Sequence, residues 1–404
     1  MKTVDVVIVG AGPVGASLAC LLAGAGVSTA IIDQAPLQPM EHPDFDGRAY
    51  AIAAGPRRLL EEAGLWDLLP ASSCPIEQIR VSDGQIGRPA SRLFLHFDYR
   101  DVGDEPVGWM VEARSLRVAL NARLHALPGL AVYAPAQARV ERSPEGAKVH
   151  VVDGPVIACR LVIAADGRQS KLRAEAGIGV TRIPYHQSGI VCAVAHEKPH
   201  HNTALEHFLP SGPFAQLPLR GTAEAENISA LVWTERSALA ERLIQLDDAA
   251  FAREILRRMG DHLGWVRPIG RRWLYPLSAL YAQRYVDTRL ALIGDAAHGV
   301  HPIAGQGLNL GFRDIEVLAE LLREAIAAGE DPGDPALLAR YQRQRRPDNM
   351  LMMLGMDTLD RLFSTNNPVL RLARDLGIAG VHRMPGLKRA FMRQAMGMGS
   401  RLAS

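Results

Sequence analysis

Val4-Asp-Val-Val-Ile-Val-Gly10-Ala-Gly12-Pro-Val-Gly15, continued by Ala16-Ser-Leu-Ala-Cys-Leu-Leu-Ala23 and Ser28-Thr-Ala-Ile-Ile-Asp33, decides the fold of this chain. The first six residues are a β-branched run and predict a buried strand; the glycines predict a tight turn. The alanine- and leucine-rich stretch predicts a helix, and Thr29 to Ile32 a second strand. The region is a βαβ unit. No charged residue occurs between Val6 and Ile32. That run is long enough to span a bilayer, but six Gly and Pro residues interrupt it. Gly10-x-Gly12-x-x-Gly15 follows a strand and opens a helix, the context a dinucleotide-binding turn requires. The first glycine permits the turn, the second admits a pyrophosphate and the third lets helix and strand pack closely. Unpaired N–H groups at the helix start favour the phosphates. Asp33 closes the second strand, where a carboxylate can accept from a ribose diol. The motif alone leaves NAD and FAD both open.

Working outward, the 404 residues predict two to three domains at about 150 residues each. A hydrophobic share of 48% supports a sizeable core and excludes a disordered chain. With 45 Lys and Arg against 43 Asp and Glu, the chain is no general polyanion binder, and nucleic acid is not an expected partner. Cys20, Cys74, Cys159 and Cys192 are widely separated and read as small buried hydrophobes.

Two further segments put carboxylates at strand ends. Leu161-Val-Ile-Ala-Ala-Asp166-Gly167 is an apolar strand ending in Asp-Gly. Leu290-Ala-Leu-Ile-Gly294-Asp295 is another, ending in Gly-Asp and leading to a glycine-rich loop (Gly305, Gly307) and a long helix from Leu308. Open α/β sheets bind ligands at such carboxyl ends. The second helix start offers a positive dipole end to an anion.

Together these motifs, with His301-Pro-Ile-Ala-Gly-Gln-Gly-Leu-Asn-Leu-Gly-Phe-Arg-Asp314, resemble the FAD-dependent aromatic hydroxylases, and most closely their ubiquinone-biosynthesis branch. The stretches around Arg48 and Arg114 and the methionine-rich tail carry the same resemblance, whereas residues 181–280 carry little of it. The resemblance implies an α/β fold in which a Rossmann-like FAD domain is interleaved with a mostly β-sheet substrate domain and a C-terminal helical segment. The corresponding expectation is FAD binding by 1–70, 103–180 and 281–340, a substrate domain of 71–102 and 181–280, and helices over 341–404.

It further implies that Gly10, Gly12 and Gly15 cradle the FAD pyrophosphate and that Asp33 holds the adenosine ribose. Arg48 and Arg114 contact pyrophosphate or ribitol, Gly294 and Asp295 the ribitol, and Asp166 the pyrophosphate site. Pro302 and the Gly305, Gln306, Gly307, Leu308, Asn309 loop line the isoalloxazine. The implied reaction is hydroxylation of a polyprenylated phenol by O2, through a flavin C4a-hydroperoxide, with NAD(P)H or another electron donor bound transiently. No proton-transfer residue is singled out. Two other functions share the same frame: a flavin-dependent isoprenoid reductase or dehydrogenase, and a flavin-bound structural subunit of a biosynthetic complex. Asp33 is followed by Gln34, where relatives often carry Glu-Arg.

His298 and His301 form H-x-x-H without a third ligand, so no metal is expected; they read as loop residues beside the flavin. His200 and His201 read as an exposed turn, and Trp109 and Trp233 as core or cavity wall. Over Pro385 to Met398, Leu387, Phe391, Met392, Ala395 and Met396 share one helical face, with Lys388, Arg389 and Arg393 elsewhere. That segment is either a core-packed final helix or a basic amphipathic helix resting on anionic lipid. The chain is expected in the cytoplasm, peripheral on the inner face of the membrane or associated with a ubiquinone-biosynthesis complex.

Overall fold

The computed structural model describes residues 2–37, 46–69, 73–87, 94–300, 305–363 and 384–397. The opening segment forms β1 (Lys2–Val9), α1 (Pro13–Gly24) and β2 (Thr29–Ile32). Pro13 suits the first helical position because it has no N–H to leave unpaired. Every residue from Gly15 to Leu22 is buried, which is why the run lacks charge. Complete burial of Leu18 and Leu22 stabilises by about 1.5–3 kcal/mol each.

β1 lies inside an eight-stranded sheet completed by β8 (Ala131–Tyr133), β9 (Ala138–Ser143), β10 (Gly146–Val151), β11 (Val156–Ala164), β17 (Val286–Asp287) and β18 (Leu290–Leu292). Its order is β17-β18-β11-β1-β2-β8, with β10 and β9 hanging antiparallel from β11. β18, β11, β1, β2 and β8 are mutually parallel. The chain leaves β1 towards β2 on one side and returns as β11 on the other, so the crevice of this sheet opens at the carboxyl ends of β1 and β11. The helices α3 (Ala113–Ala126) and α7 (Gln306–Ala327) both pack on α1.

A second eight-stranded sheet comprises β5 (Gln78–Asp83), β6 (Phe94–Asp98), β12 (Val180–His196), β13 (Thr203–Leu209), β14 (Gly212–Leu219), β15 (Ile228–Arg236), β16 (Val266–Ala282) and β19 (His298–Gly299). Its order is β19-β16-β12-β15-β14-β13-β5-β6. One face is covered by α5 (Ser237–Leu243) and α6 (Asp248–Met259) through Ala240, Leu243, Phe251 and Ile255. The other meets a three-stranded antiparallel sheet of β3 (Ala49–Ala53), β4 (Ser73–Ile76) and β7 (Gly108–Glu112), ordered β3-β7-β4. The mixed α/β class is thus observed, with chain segments alternating between the two large sheets.

Among the described residues, α7 is followed by α8 (Pro335–Phe363) and α9 (Pro385–Ala395). α9 is docked on the protein. Met392 and Met396 are buried against Ala54 and Val107, and Gly55 N–H donates to Met396 O at 2.8 Å. The methionine face is therefore packed on the core, while Arg389 and Arg393 point to solvent. The side chains of Leu387 and Phe391 lie outside the described residues. Among the described residues no helix is long and apolar enough to cross a membrane.

Candidate functional site

Parallel pairing sets β1, β11 and β18 side by side, so their carboxyl ends bring Gly10-Ala-Gly12, Asp166-Gly167 and Gly294-Asp295 onto one edge. The contact is direct: Ala165 N–H donates to Val9 O at 2.8 Å and Ile293 N–H to Ala164 O at 3.0 Å. Gly10 has φ +105°, and a Cβ there would lie 2.3 Å from Ala165 O. A Cβ on Gly15 would lie 2.0 Å from Gly10 O, so only glycine lets α1 abut the loop. Gly12 differs from both, since a Cβ there would meet nothing within 4 Å. Asp33 accepts from Ala11 N–H at 2.5 Å and from Ala35 N–H at 2.7 Å, so its carboxylate braces the glycine loop.

Asp166 Oδ2 accepts from Lys171 N–H at 2.9 Å and Leu172 N–H at 3.3 Å, capping α4 (Lys171–Glu175). Its Oδ1 is buried with no hydrogen-bond partner among the described residues. The buried Arg173 donates to Ala296 O at 2.8 Å and Arg168 O at 2.9 Å, tying the Asp-Gly loop to the Gly-Asp turn. Asp295 is open to water yet crowded by protein, as in a crevice. That desolvation pushes its carboxyl above the usual carboxylate range, against the opposing pull of Arg168 and His298.

Arg48 and Arg114 flank the paired strands β3 and β7 at one end, where Ala113 N–H donates to Arg48 O at 2.9 Å. The Arg48 guanidinium donates to Asp46 at 2.6 and 2.9 Å and stacks over Trp273, 4.2 Å from the ring centroid. Arg114 Nε donates to Glu112 at 2.6 Å. One turn further along α3, Arg117 donates to Ala11 O at 3.1 Å inside the glycine loop. In sequence Arg117 is simply the second arginine of Val-Glu-Ala-Arg114-Ser-Leu-Arg117; its reach to the loop needs the fold.

Gly305 adopts φ +61° and caps α7, which begins at Gln306, two residues before the expected start. Gln306, Gly307, Leu308 and Asn309 are therefore the first helical turn and not a loop. Asn309 is buried, and its amide is fully engaged. Its Oδ1 accepts from Ala53 N–H at 2.9 Å, while Nδ2 donates to Ala51 O at 2.8 Å and Gly305 O at 3.0 Å. β3 is an edge strand, and this carboxamide satisfies its outer edge as a neighbouring peptide would. Asn309 thus positions β3 against the helix start. Pro302 and His301 lie outside the described residues.

His298 is not a loop residue beside the crevice but is buried on β19, its Nε2 2.5 Å from Asp314 Oδ2. Asp314 is wholly buried. It also accepts from Gly294 N–H at 3.0 Å, Arg345 Nε at 2.9 Å and Asn349 Nδ2 at 3.1 Å. Burial pushes this carboxyl up, but His298 and Arg345 outweigh it and hold it at about 2. The cluster anchors the Gly-Asp turn from behind, a role that no spacing rule disclosed for Asp314. His200 is half-buried and no exposed turn, with Nε2 3.0 Å from Leu219 O; for Trp233 the structure selects the core alternative, against α6.

These groups fit a dinucleotide. Gly12 offers open space before a helix N-terminus, the Asp166-Gly167 turn abuts the glycine loop at Gly10, and Gly305 opens a second helix N-terminus. Each such terminus carries about half a positive charge.

The chain is similar to known proteins in sequence and in fold. The profile of the FAD binding domain family matches residues 3–353. The chain is 51% identical over 397 residues to ubiquinone hydroxylase UbiL of Rhodospirillum rubrum, covering 98% of this chain and 90% of that protein. It is 35% identical over 399 residues to 3-demethoxyubiquinol 3-hydroxylase of Escherichia coli, covering 98% of each. Among solved structures, p-nitrophenol 4-monooxygenase PnpA from Pseudomonas putida matches over all of both chains, with a TM-score of 0.79 and 18% identity. PqsL of Pseudomonas aeruginosa, a probable FAD-dependent monooxygenase, matches with a TM-score of 0.76 and 24% identity over 94% of this chain and all of that one. These two likenesses establish the shared fold.

Proposed function

Since the chain belongs to the FAD binding domain family, in its group of ubiquinone hydroxylases, we propose that it is an FAD-dependent monooxygenase hydroxylating a ring carbon of a polyprenylated phenol in ubiquinone biosynthesis. The observation that carries the reading is the meeting of three strand-end loops, Gly10 to Gly15, Asp166-Gly167 and Gly294-Asp295, on one crevice. FAD, when bound, would supply the activation of O2, from which the inserted oxygen atom comes, with electrons from NAD(P)H.

The chain's own residues supply position and electrostatics. Gly10 and Gly15 bring backbone and helix together so that the α1 N–H groups and the open side of Gly12 receive the pyrophosphate. Asp33 braces that loop and accepts from the adenosine ribose, with Arg48 and Arg114 on pyrophosphate or ribitol and Asp166 beside them. Gly294 and Asp295 meet the ribitol. The α7 N-terminus, with Gly305, Gln306, Gly307 and Leu308, faces the isoalloxazine, where its dipole favours the negative charge of the reduced ring. By resemblance Pro302 joins them. We assign the first sheet with α1, α3 and α7 to the cofactor and the second sheet to the substrate side, where the sheets exclude water from the reacting ring.

Peripheral membrane contact would run through the outward Arg389 and Arg393 of α9, since its methionines are packed inward. Charge reversal at both arginines should then abolish binding to anionic vesicles; retained binding would refute that route. The functional reading itself is tested by mass spectrometry of the quinone pool in an aerobically grown strain lacking the gene. Accumulation of an intermediate missing one or more ring hydroxyls, reversed by the gene, is expected. An unchanged pool would overturn the substrate assignment.

A further inference from the structure

The two faces of the second sheet are unequally filled. On the helix side, Ile190, Cys192, Leu231, Trp233 and Phe214 are buried to within 1% of full exclusion from water. On the side facing β3, β4 and β7, Val191, Val232 and Leu217 are only half-buried, although β12, β15 and β14 are interior strands. Apolar side chains at the centre of a sheet remain open only where the opposing layer stands off, so this face is the wall of a groove.

Strand register sets Glu206, Ala215, Val232, Val191 and Trp273 in one row across that wall. Alternation along β13 fixes the side on which Glu206 lies. Leu205 and Leu209 pack towards α5 and α6, while Ala204 packs with Cys74, Ile76 and Met110 of the small sheet. Glu206 shares the face of Ala204. At the other end of the row, Trp273 lies under the Arg48 guanidinium and donates to Asp46 O at 2.8 Å, at the start of the β3 strand that Asn309 ties to α7. Four strand spacings of about 4.8 Å put Glu206 roughly 19 Å from Trp273 across an apolar floor.

Glu206 is one carboxyl in this apolar wall, and among the described residues no hydrogen bond or ion pair is made by its side chain. Burial alone pushes it up to about 7, with no cation offsetting the cost. A buried carboxyl without a partner destabilises the fold, so its presence in a groove points to a ligand. The groove's chemistry suits an aromatic ring with an isoprenoid tail on the valine and leucine floor and one ionisable hydroxyl at the carboxyl.

Resting on the hydroxylase reading above, we propose that Glu206 binds the ring hydroxyl of the phenolic substrate and takes its proton as the ring is hydroxylated. The phenolic proton passes to the Glu206 carboxylate, and the electron-rich ring carbon forms a bond to one oxygen atom of O2. The other oxygen leaves as water, the two electrons coming from NAD(P)H. The hydrogen on the attacked carbon then departs as a proton to restore aromaticity, and Glu206 returns its own proton to the original oxygen. The sum is phenol, O2, NAD(P)H and H+ giving dihydroxybenzene, NAD(P)+ and water. A free phenol ionises near pH ~10, so an adjacent base matched to neutral pH contributes about 10²–10⁴-fold.

The test uses the FAD-loaded enzyme and the soluble probe 2-(3-methylbut-2-enyl)phenol. Wild type should show kcat/KM rising with pH through an ionisation near 7. Glu206→Gln should lose that limb and about 10²–10⁴-fold in product formation, with flavin absorbance, thermal stability and probe Kd little changed. Glu206→Asp should restore part of the rate. A Gln variant that keeps both the limb and the rate overturns the proposal and leaves the hydroxylase reading standing. So does a wild-type profile without an ionisation between pH 6 and 8, which needs no variant to fold. Failure of the wild type to hydroxylate the probe counts against the hydroxylase reading; Glu206 is then judged by the phenolate difference spectrum of the bound probe. Loss of that spectrum in Glu206→Gln supports the proposal, and its persistence overturns it.

Discussion

Substituting the second and the third glycine of the opening motif should produce opposite phenotypes. At Gly12 an added Cβ meets no atom within 4 Å, and φ is −62°, a value alanine adopts freely. Gly12→Ala should therefore leave apoprotein stability within about 0.5 kcal/mol of wild type, the usual range for a change that touches nothing. The same methyl would occupy the side from which the pyrophosphate approaches the α1 N–H groups. Losing two charge-assisted hydrogen bonds at about 1.5–3 kcal/mol each removes roughly 3–6 kcal/mol, or about 10²–10⁴-fold in FAD affinity. At Gly15 the Cβ would lie 2.0 Å from Gly10 O and 2.8 Å from Ala165 Cβ. Carbon and backbone oxygen do not approach below about 3 Å, so α1 and β1 would have to separate by roughly 1 Å. Overpacking of that kind costs about 1–3 kcal/mol, roughly 1–4 °C in Tm for a chain of this length, even without cofactor. Quenching of FAD fluorescence on titration with apoprotein reads the first effect, and apoprotein thermal unfolding reads the second. Wild-type FAD affinity in Gly12→Ala would refute the assignment of this loop as the phosphate cradle. An unchanged apoprotein Tm in Gly15→Ala would refute the packing argument.

Two further outcomes follow from the buried polar groups. Asn309→Ala orphans Ala53 N–H and Ala51 C=O on the edge of β3. At about 1–3 kcal/mol per unsatisfied group, it should lower stability by roughly 2–5 kcal/mol and release FAD at a lower temperature, seen as rising flavin fluorescence. A wild-type melting curve would count against the clamp. Asp314→Asn should cost about 3–5 kcal/mol at neutral pH, because Arg345 loses its fully buried counter-charge. The native carboxyl stands at about 2, below its ordinary 3.8. Its contribution is therefore complete above pH ~4 and is lost as pH falls towards ~2, so the gap between wild type and variant should narrow there by about 2 kcal/mol. A gap independent of pH would contradict this.

Local pattern was enough for the fold class and for the candidate cofactor loops, because each depends on short-range rules. A β-branched run, a glycine turn and an uncharged helix specify a βαβ unit within thirty residues, and Asp-Gly and Gly-Asp at the ends of apolar strands announce themselves as loops. Where residues act across the chain, pattern was silent. Asn309 looked like part of a ligand-lining loop, yet it replaces a missing strand neighbour for residues more than 250 positions earlier. His298 and Asp314 looked unrelated, and His298 seemed a loop residue; helix α7 brings Asp314 beneath the Gly-Asp turn and joins them. Periodicity left the tail's methionine face open to lipid or core, and the docking of Met392 and Met396 against Ala54 and Val107 selects the core.

By itself, then, the order of residues determined which segments become strands and helices and which loops stand at the ends of strands, since dihedral preference and side-chain period act between near neighbours. Only the tertiary structure decided that Asp314 is a brace and that Glu206, among the described residues, has no hydrogen-bond or ion-pair partner in an apolar wall. The physical reason is that a carboxyl's role is set by its desolvation and by the charges around it, and both come from strands and helices far away along the chain.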